Sequence, residues 1–244
     1  MAQLYLDIGN SQLKWGVRHH KQWLHQGRLA LPELGQLPKH WAALGPIQAI
    51  HGICVAADSD REQVEAACHT LSLKPVWHRS KAREGGVTNH YDTPDQLGAD
   101  RWMALLAARQ MAPHAALVVM AGTATTIDSL DDQGHFLGGM ILPGLTLMGQ
   151  SLTQGTAGLP NAHQGKFLPT PRCTVDAIYS GIVSATLGAI LLARQRFSPE
   201  NPTIPIILGG GHRTLLLPHL PLPVREVPEL VLEGLALSQE NPIP

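Results

Sequence analysis

The apolar positions of this chain fall into short runs that break at glycine, and two of these runs look like copies of one another. Leu4-Tyr5-Leu6-Asp7-Ile8-Gly9-Asn10-Ser11 stands near the start, and Leu117-Val118-Val119-Met120-Ala121-Gly122-Thr123-Ala124 near the middle. Each is an apolar run, a two-residue step to a glycine, and then small residues, polar ones prominent among them. A strand ending in such a turn lets a phosphate approach backbone N–H groups closely. An Asp stands two residues before the glycine in the first copy, and a Met in the second.

Around each copy the pattern predicts an α/β unit. Residues 3–17 read as a hairpin, with Leu13, Trp15 and Val17 alternating after the turn. Residues 47–55 read as a buried strand, 60–71 as a helix capped by Asp58 or Ser59, and 75–78 as a short strand. Residues 81–95 read as a loop, and 96–111 as a helix. The second half repeats the plan. Strands are expected at 116–120, 124–130 and 135–142, and helices at 145–154, 175–196 and 230–237. The Gly/Pro-rich stretch 155–171 is a long loop, and a strand at 204–208 runs into Gly209-Gly210-Gly211. The expectation is two α/β lobes around a cleft, residues 1–112 and 113–244, with Pro113 at the junction.

Composition narrows the function classes. The chain has 244 residues, 44% of them apolar, enough to build a real core. Net charge is −1 and only 15% of residues are charged, so no basic stripe favours nucleic acid. Cys54, Cys68 and Cys173 are widely spaced and suit reduced, mostly buried thiols. The uninterrupted apolar stretches, near 115–121 and 187–193, are too short to span a bilayer. Asp7 interrupts the only candidate signal segment, and the expected location is the cytoplasm. Neither a P-loop, nor a dinucleotide-type glycine fingerprint, nor an HExxH zinc motif occurs.

Several residues carry candidate chemistry. Asp7 suits a carboxylate that holds Mg²⁺, directly or through water, beside a nucleotide's phosphates, or else a turn-forming Asp. Its company, with Gly9, Asn10, Ser11, Lys14 and the second copy, favours the first role. Lys14 serves the phosphates or the solvent equally well. Thr123 is suited to bond a phosphate, whereas Thr125 and Thr126 read as strand and Asp128 as ordinary surface. Gly98-Ala99-Asp100-Arg101 opens a helix whose N-terminus favours anions. Spacing alone favours a helix-stabilising role for Asp100 over a catalytic base, and Arg101 is able to fork onto a carboxylate or phosphate. The triple glycine suits stacking of an adenine ring on main chain.

Taken together, these segments resemble the type III pantothenate kinases, of the acetate-kinase, sugar-kinase, Hsp70 and actin superfamily. The likeness runs through Asp7-Ile8-Gly9-Asn10-Ser11 with Lys14, then Tyr91, Pro94 and Leu97-Gly98-Ala99-Asp100-Arg101-Trp102. It continues through Gly122-Thr123-Ala124-Thr125-Thr126-Ile127-Asp128, Gly138–Gly144, and Gly209-Gly210-Gly211. The resemblance implies two duplicated ribonuclease-H-like lobes around a nucleotide cleft. It implies ATP-dependent phosphorylation of pantothenate to 4'-phosphopantothenate, the first step toward coenzyme A, with Asp100 as base. It further implies that Asp7, Ile8, Gly9, Asn10, Ser11, Gln12, Leu13, Lys14 and Thr123 bind ATP. Tyr91, Gly98, Ala99, Asp100, Arg101 and Thr174 would bind pantothenate, and the protein would be a homodimer. Many relatives need K⁺ or NH₄⁺ and carry an Asp, which helps hold it, where this chain has Met120; the chain then needs no such ion, holds it through other oxygens, or binds it weakly. Two rivals are an accessory protein that keeps the fold and a kinase of another small hydroxy acid. Retention of Asp7 and Asp100 speaks for catalysis.

Overall fold

The computed structural model describes residues 2–162, 164–198, 200 and 203–240. It divides into two compact units, Met1–Met111 with Leu230–Pro244, and Ala112–Glu229. The first unit opens with strands β1 (Ala2–Ile8), β2 (Gln12–His19) and β3 (Gln22–Ala30), followed by a 3₁₀ turn and the short helix α1 (Leu37–Trp41). Then come β4 (Ile47–Cys54), α2 (Asp58–His69), β5 (Pro75–Trp77), the small strands β6 (Arg83–Glu84) and β7 (Val87–Asn89), and α3 (Ala99–Met111). The second unit holds β8 (Ala116–Ala121), β9 (Ala124–Leu130), β10 (His135–Pro143), α4 (Leu145–Gly155) and α5 (Thr174–Phe197). It ends with β11 (Ile206–Gly209), the single-turn α6 (Arg213–Leu216) and β12 (Val224–Glu226). The last helix, α7 (Leu230–Glu240), belongs to the first unit.

The duplication legible in the two glycine runs extends to whole sheets. The first unit's sheet has the order β3-β2-β1-β4-β5, with β1 antiparallel to β2 and parallel to β4. In the second unit the order β10-β9-β8-β11-β12 repeats it strand for strand, with β8 antiparallel to β9 and parallel to β11. An antiparallel meander followed by parallel crossovers needs a helix to return the chain each time. In the first unit α2 makes that return between β4 and β5, and in the second α6 makes it between β11 and β12.

Each unit has its own core. Leu4, Leu6, Ile8, Leu13 and Val17 from the first hairpin pack with Ile50, Val64 and Trp41 in the first. Leu117, Val119, Ile127, Ile182, Leu187 and Ile206 pack together in the second. The periodicity of α5 is that of a half-buried helix: Ile178, Ile182, Val183, Leu187 and Ile190 point inward, while Gly181, Ser184, Ala185 and Gly188 are exposed. By length and composition α5 would suffice to cross a bilayer, which counting uninterrupted apolar residues did not foresee.

Four expectations are revised. The boundary of 113–244 gives up its last helix to the first unit. The reason lies in α7 itself: Leu230, Val231, Leu232, Leu235 and Ala236 are all buried, a pattern no single-sided surface helix has. The 81–95 loop contains the β6–β7 hairpin. The first turn of α2 has no side-chain cap, since Ala57 occupies that place in an extended conformation. Cys173 is exposed rather than buried, although all three cysteines are free.

Candidate active site

The first glycine loop is the turn of the β1–β2 hairpin. Asp7 faces Lys14 across the ladder and Ile8 faces Leu13, leaving Gly9-Asn10-Ser11 as the connection. Gly9 N–H donates to Gln12 O at 3.1 Å, and Val55 N–H donates to Ile8 O at 2.9 Å, which tie the turn to both neighbouring strands. Strand alternation sorts the expected ATP residues into two kinds. Ile8 and Leu13 are fully buried and belong to the core, so only their backbone is open to a ligand. Asn10 and Ser11 are exposed and Lys14 is half-buried. Asp7 is only 6% exposed, a carboxylate held at the end of a strand rather than a solvated turn residue.

The Tyr91–Arg101 segment is built as one hydrogen-bonded scaffold. Arg101 Nη1 donates to Tyr91 Oη at 2.8 Å, and the guanidinium lies 5.5 Å from the ring centroid. Arg101 is 5% exposed, so this cation is held in a defined orientation rather than waving in solvent. Asn89 pins the loop beneath it: its amide donates to Lys81 O and Pro94 O, and its Oδ1 accepts Tyr91 N–H at 3.1 Å. Ser80 Oγ donates to the same Pro94 carbonyl. Asp100 lies in the first turn of α3 with Oδ1 accepting Arg101 N–H at 2.9 Å, and it stays partly accessible. A side chain at Gly98 would come 2.6 Å from that same oxygen, so glycine here keeps room for the Asp100 carboxylate.

The second glycine loop is the β8–β9 turn, with Gly122 N–H donating to Ala124 O at 3.0 Å. Thr123 at its tip is exposed. Thr125 and Thr126 are strand residues, as expected, and both are buried. Asp128, read as surface, is 0% exposed and is therefore a buried carboxylate of β9. Two other glycine turns press on this loop. Gly144 N–H donates to Thr123 O at 2.9 Å, and a Cβ on Gly144 would overlap the Gly122 and Thr123 carbonyls. Gly210, at φ +89°, lies against the Ala121 backbone, and His212 N–H donates to Ala121 O at 2.9 Å. Met120 pairs with Gly209 on one side and Thr126 on the other, and its thioether covers Gly209.

Beside the triple glycine the second unit holds a cavity of about 250 Å³, lined by Leu145, Thr146, Asn161, Tyr179, Ile182 and His212 among others. Thr146 Oγ1 and His212 Nε2 are 3.2 Å apart at its wall. Thr174 is exposed at the first position of α5. Two residues on, Asp176 accepts Lys166 N–H at 2.8 Å, and this bond, joined by one from the Cys173 thiol, holds its carboxyl below the usual range. The structure thus gathers Tyr91, Gly98, Asp100 and Arg101 within the first unit, and it braces Thr123 within the second. Sequence reasoning missed Asn89, whose only signal was a turn-forming Asn beside Tyr91. It also missed Thr146 and His212, which no spacing connects.

Comparison with known proteins identifies the chain. Residues 3–195 match the family model of type III pantothenate kinase. A type III pantothenate kinase of Dechloromonas aromatica is 44% identical over 236 residues, covering 94% of this chain and 95% of that protein. Among solved structures, a Campylobacter jejuni protein assigned to the Baf family of transcriptional activators superposes with a TM-score of 0.61 at 20% identity, covering 97% of this chain and 98% of its own. A Sinorhizobium meliloti protein described as a 2-dehydro-3-deoxygalactonokinase gives 0.54 at 17% identity, covering 98% and 96%. The fold is shared with these structures, and it consists of two α/β units that repeat one order of five strands. The protein is a kinase that phosphorylates pantothenate on the way to coenzyme A, and the chain belongs to the type III pantothenate kinase family.

Proposed function

We propose that Asp100 is the base of this reaction, taking the proton of pantothenate's primary hydroxyl as the γ-phosphoryl of ATP passes to it in line. The observation that carries this is the packing at the start of α3. There Gly98 leaves room for a carboxylate at a helix N-terminus, beside the Tyr91–Arg101 pair. Arg101, fixed by Tyr91, suits the carboxylate of pantothenate, and its fork geometry favours a planar anion. Tyr91, Gly98, Ala99 and Thr174 complete the proposed substrate contacts. General-base catalysis is worth about 10²–10⁴-fold. Asp100→Asn is expected to lower kcat by that order while ATP still binds. Near-normal turnover in this variant would remove Asp100 from the role.

For ATP the proposed contacts are the main chain of Ile8, Gly9 and Leu13, the polar groups of Asn10, Ser11, Gln12 and Lys14, and Thr123 in the second loop. The base lies against the triple-glycine turn, where the cavity beside Thr146 and His212 offers apolar walls with few polar groups, as small-molecule sites do. Mg²⁺ fits the donor set through Asp7. This ion is usually held by one or two carboxylates plus phosphates and water, and no cluster of three acidic, His or Cys ligands occurs among the described residues. Mg²⁺ supplies charge neutralisation on the phosphates. The residues of the chain supply position.

The monovalent cation does not fit. Hard cations prefer oxygen, and the thioether of Met120 is a poor ligand for them. The proposed enzyme therefore works without K⁺ or NH₄⁺ at that place. The homodimer and a cytoplasmic location are part of the same reading. The dimer draws support from α5, whose exposed face of Gly181, Ser184, Ala185 and Gly188 continues into exposed Leu191 and Leu192. Small residues on such a face allow close approach of a second helix.

A further inference from the structure

The second phosphate loop has no charged side chain of its own, and its shape must therefore be enforced from behind. Two charged residues, Arg213 and Glu226, stand behind one of its supports, Gly210. Arg213 is the first residue of α6, one residue beyond the triple-glycine turn, and Glu226 is the last residue of β12. Arg213 Nη1 donates to Gly210 O at 3.1 Å. Arg213 Nε lies 2.7 Å from Glu226 Oε1, an ion pair whose N–H is not aimed along the contact. The pair is partly sheltered, the side chains being 18% and 34% exposed.

Gly210 carries the effect forward. It has a positive φ of +89°, and a Cβ there would overlap the Ala121 backbone, so the two main chains are already in contact. His212 N–H donates to Ala121 O, and Ala121 is the residue before Gly122 and Thr123. Arg213's own main-chain N–H also donates to the Gly210 carbonyl, at a longer 3.4 Å. A peptide at a positive φ held only by such a bond has alternative orientations open to it, and glycine resists them least. The guanidinium, held on one side by Glu226, selects one of them. On its other side the same guanidinium fixes Gly210, and Gly210 fixes the strand end that presents the loop.

We propose that Arg213, oriented by Glu226, is a positioning residue for ATP: it locks Gly210 and thereby the Ala121–Thr123 backbone that receives the phosphates. The proposal rests on the assignment of Thr123 and its loop to ATP. Arg213 touches no substrate in this scheme and acts through main chain alone.

The test uses the full-length enzyme with R213A, R213K, E226Q and the double variant R213A/E226A. Steady-state kinetics for both substrates is combined with hydrogen exchange of the peptide spanning residues 119–126. R213A is expected to raise KM for ATP about tenfold, or roughly 1.4 kcal/mol. The KM for pantothenate and kcat should stay within about twofold, and exchange in residues 119–126 should quicken. R213K should restore part of the loss, E226Q should show a smaller version, and the double variant should be no worse than R213A, as coupled residues behave. Equal rises in both KM values, with a lowered melting temperature and no local change in exchange, would overturn the proposal in favour of a general structural role. So would unchanged KM for ATP. If the wild-type enzyme failed to phosphorylate pantothenate at all, the functional reading would fall, while hydrogen exchange of residues 119–126 with and without ATP would still decide the positioning role.

Discussion

The two glycine loops occupy equivalent turns of two equivalent sheets, yet they are made of different materials. In the first, Asp7 and Lys14 face each other across the ladder; in the second, the matching positions are Met120 and Thr126. A carboxylate and an ammonium have been exchanged for a thioether and a hydroxyl. What the second loop lacks in charge it has in bracing, because Gly144 and Gly210 both press backbone against it. On the proposed assignment to ATP, one loop works with side-chain charge and the other with main-chain shape. Phosphate recognition uses both: a counter-ion needs a carboxylate, and an anion needs fixed N–H groups.

The comparison is tested most severely at Asp7. If charge is the business of the first loop, Asp7→Asn should cost on the order of 100-fold in kcat/KM, or about 2.7 kcal/mol, with the Mg²⁺ requirement rising. Titrating Mg²⁺ in both proteins measures this, and an equal response would erase the distinction. Thr123→Ala removes one hydroxyl but leaves the braced main chain. A lost hydrogen bond to a charged group predicts about a tenfold rise in KM for ATP, a smaller effect than at Asp7. A larger loss than that of Asp7→Asn would show that side chains rule both loops.

Met120→Asp would make the loops more alike. It should shift the enzyme from indifference among Na⁺, K⁺ and NH₄⁺ to a few-fold preference for K⁺ or NH₄⁺, read from initial rates in each salt. A wild-type enzyme that already discriminates strongly would end the explanation based on the thioether.

The smallest effect concerns stability. The first unit also carries the paired rings of His51 and His78, 3.1 Å apart. Burial, and then the neighbouring His78, hold His51 down to about 4, and burial lowers His78 as well. The unfolded chain takes up the His51 proton near the ordinary value of 6.5 and the folded chain only closer to 4. Stability from this residue is thus complete above 6.5 and declines as pH falls toward 4. Melting temperatures across that window should fall for the wild type and fall less for His51→Gln.

Much of this was legible beforehand, for physical reasons that differ by element. The hairpin at Asp7–Lys14 and the strands around Gly122 announce themselves through alternation and a glycine turn, both local signals. The 24-residue α5 shows a helical period long enough to survive its small residues. β3 did not show, because its exposed Gln, His and Arg positions break the apolar alternation of an edge strand. Asp128 was misread because its polarity suggests solvent, whereas two flanking strands, β8 and β10, enclose it.

The order of residue types along the chain was enough to reveal the duplication, the glycine turns and the family, because each depends on a short stretch and its spacing. Other properties arise from contacts between stretches far apart in sequence. Folding decided that α7 joins the first unit, that Asn89 pins Tyr91, and that Ile8 and Leu13 offer only backbone. It also decided that Gly144, Gly210 and Arg213 stand behind the second loop. Neighbours along the chain share a pattern that can be read, but hydrogen bonds and overlap depend on distance in space, and only packing sets that distance.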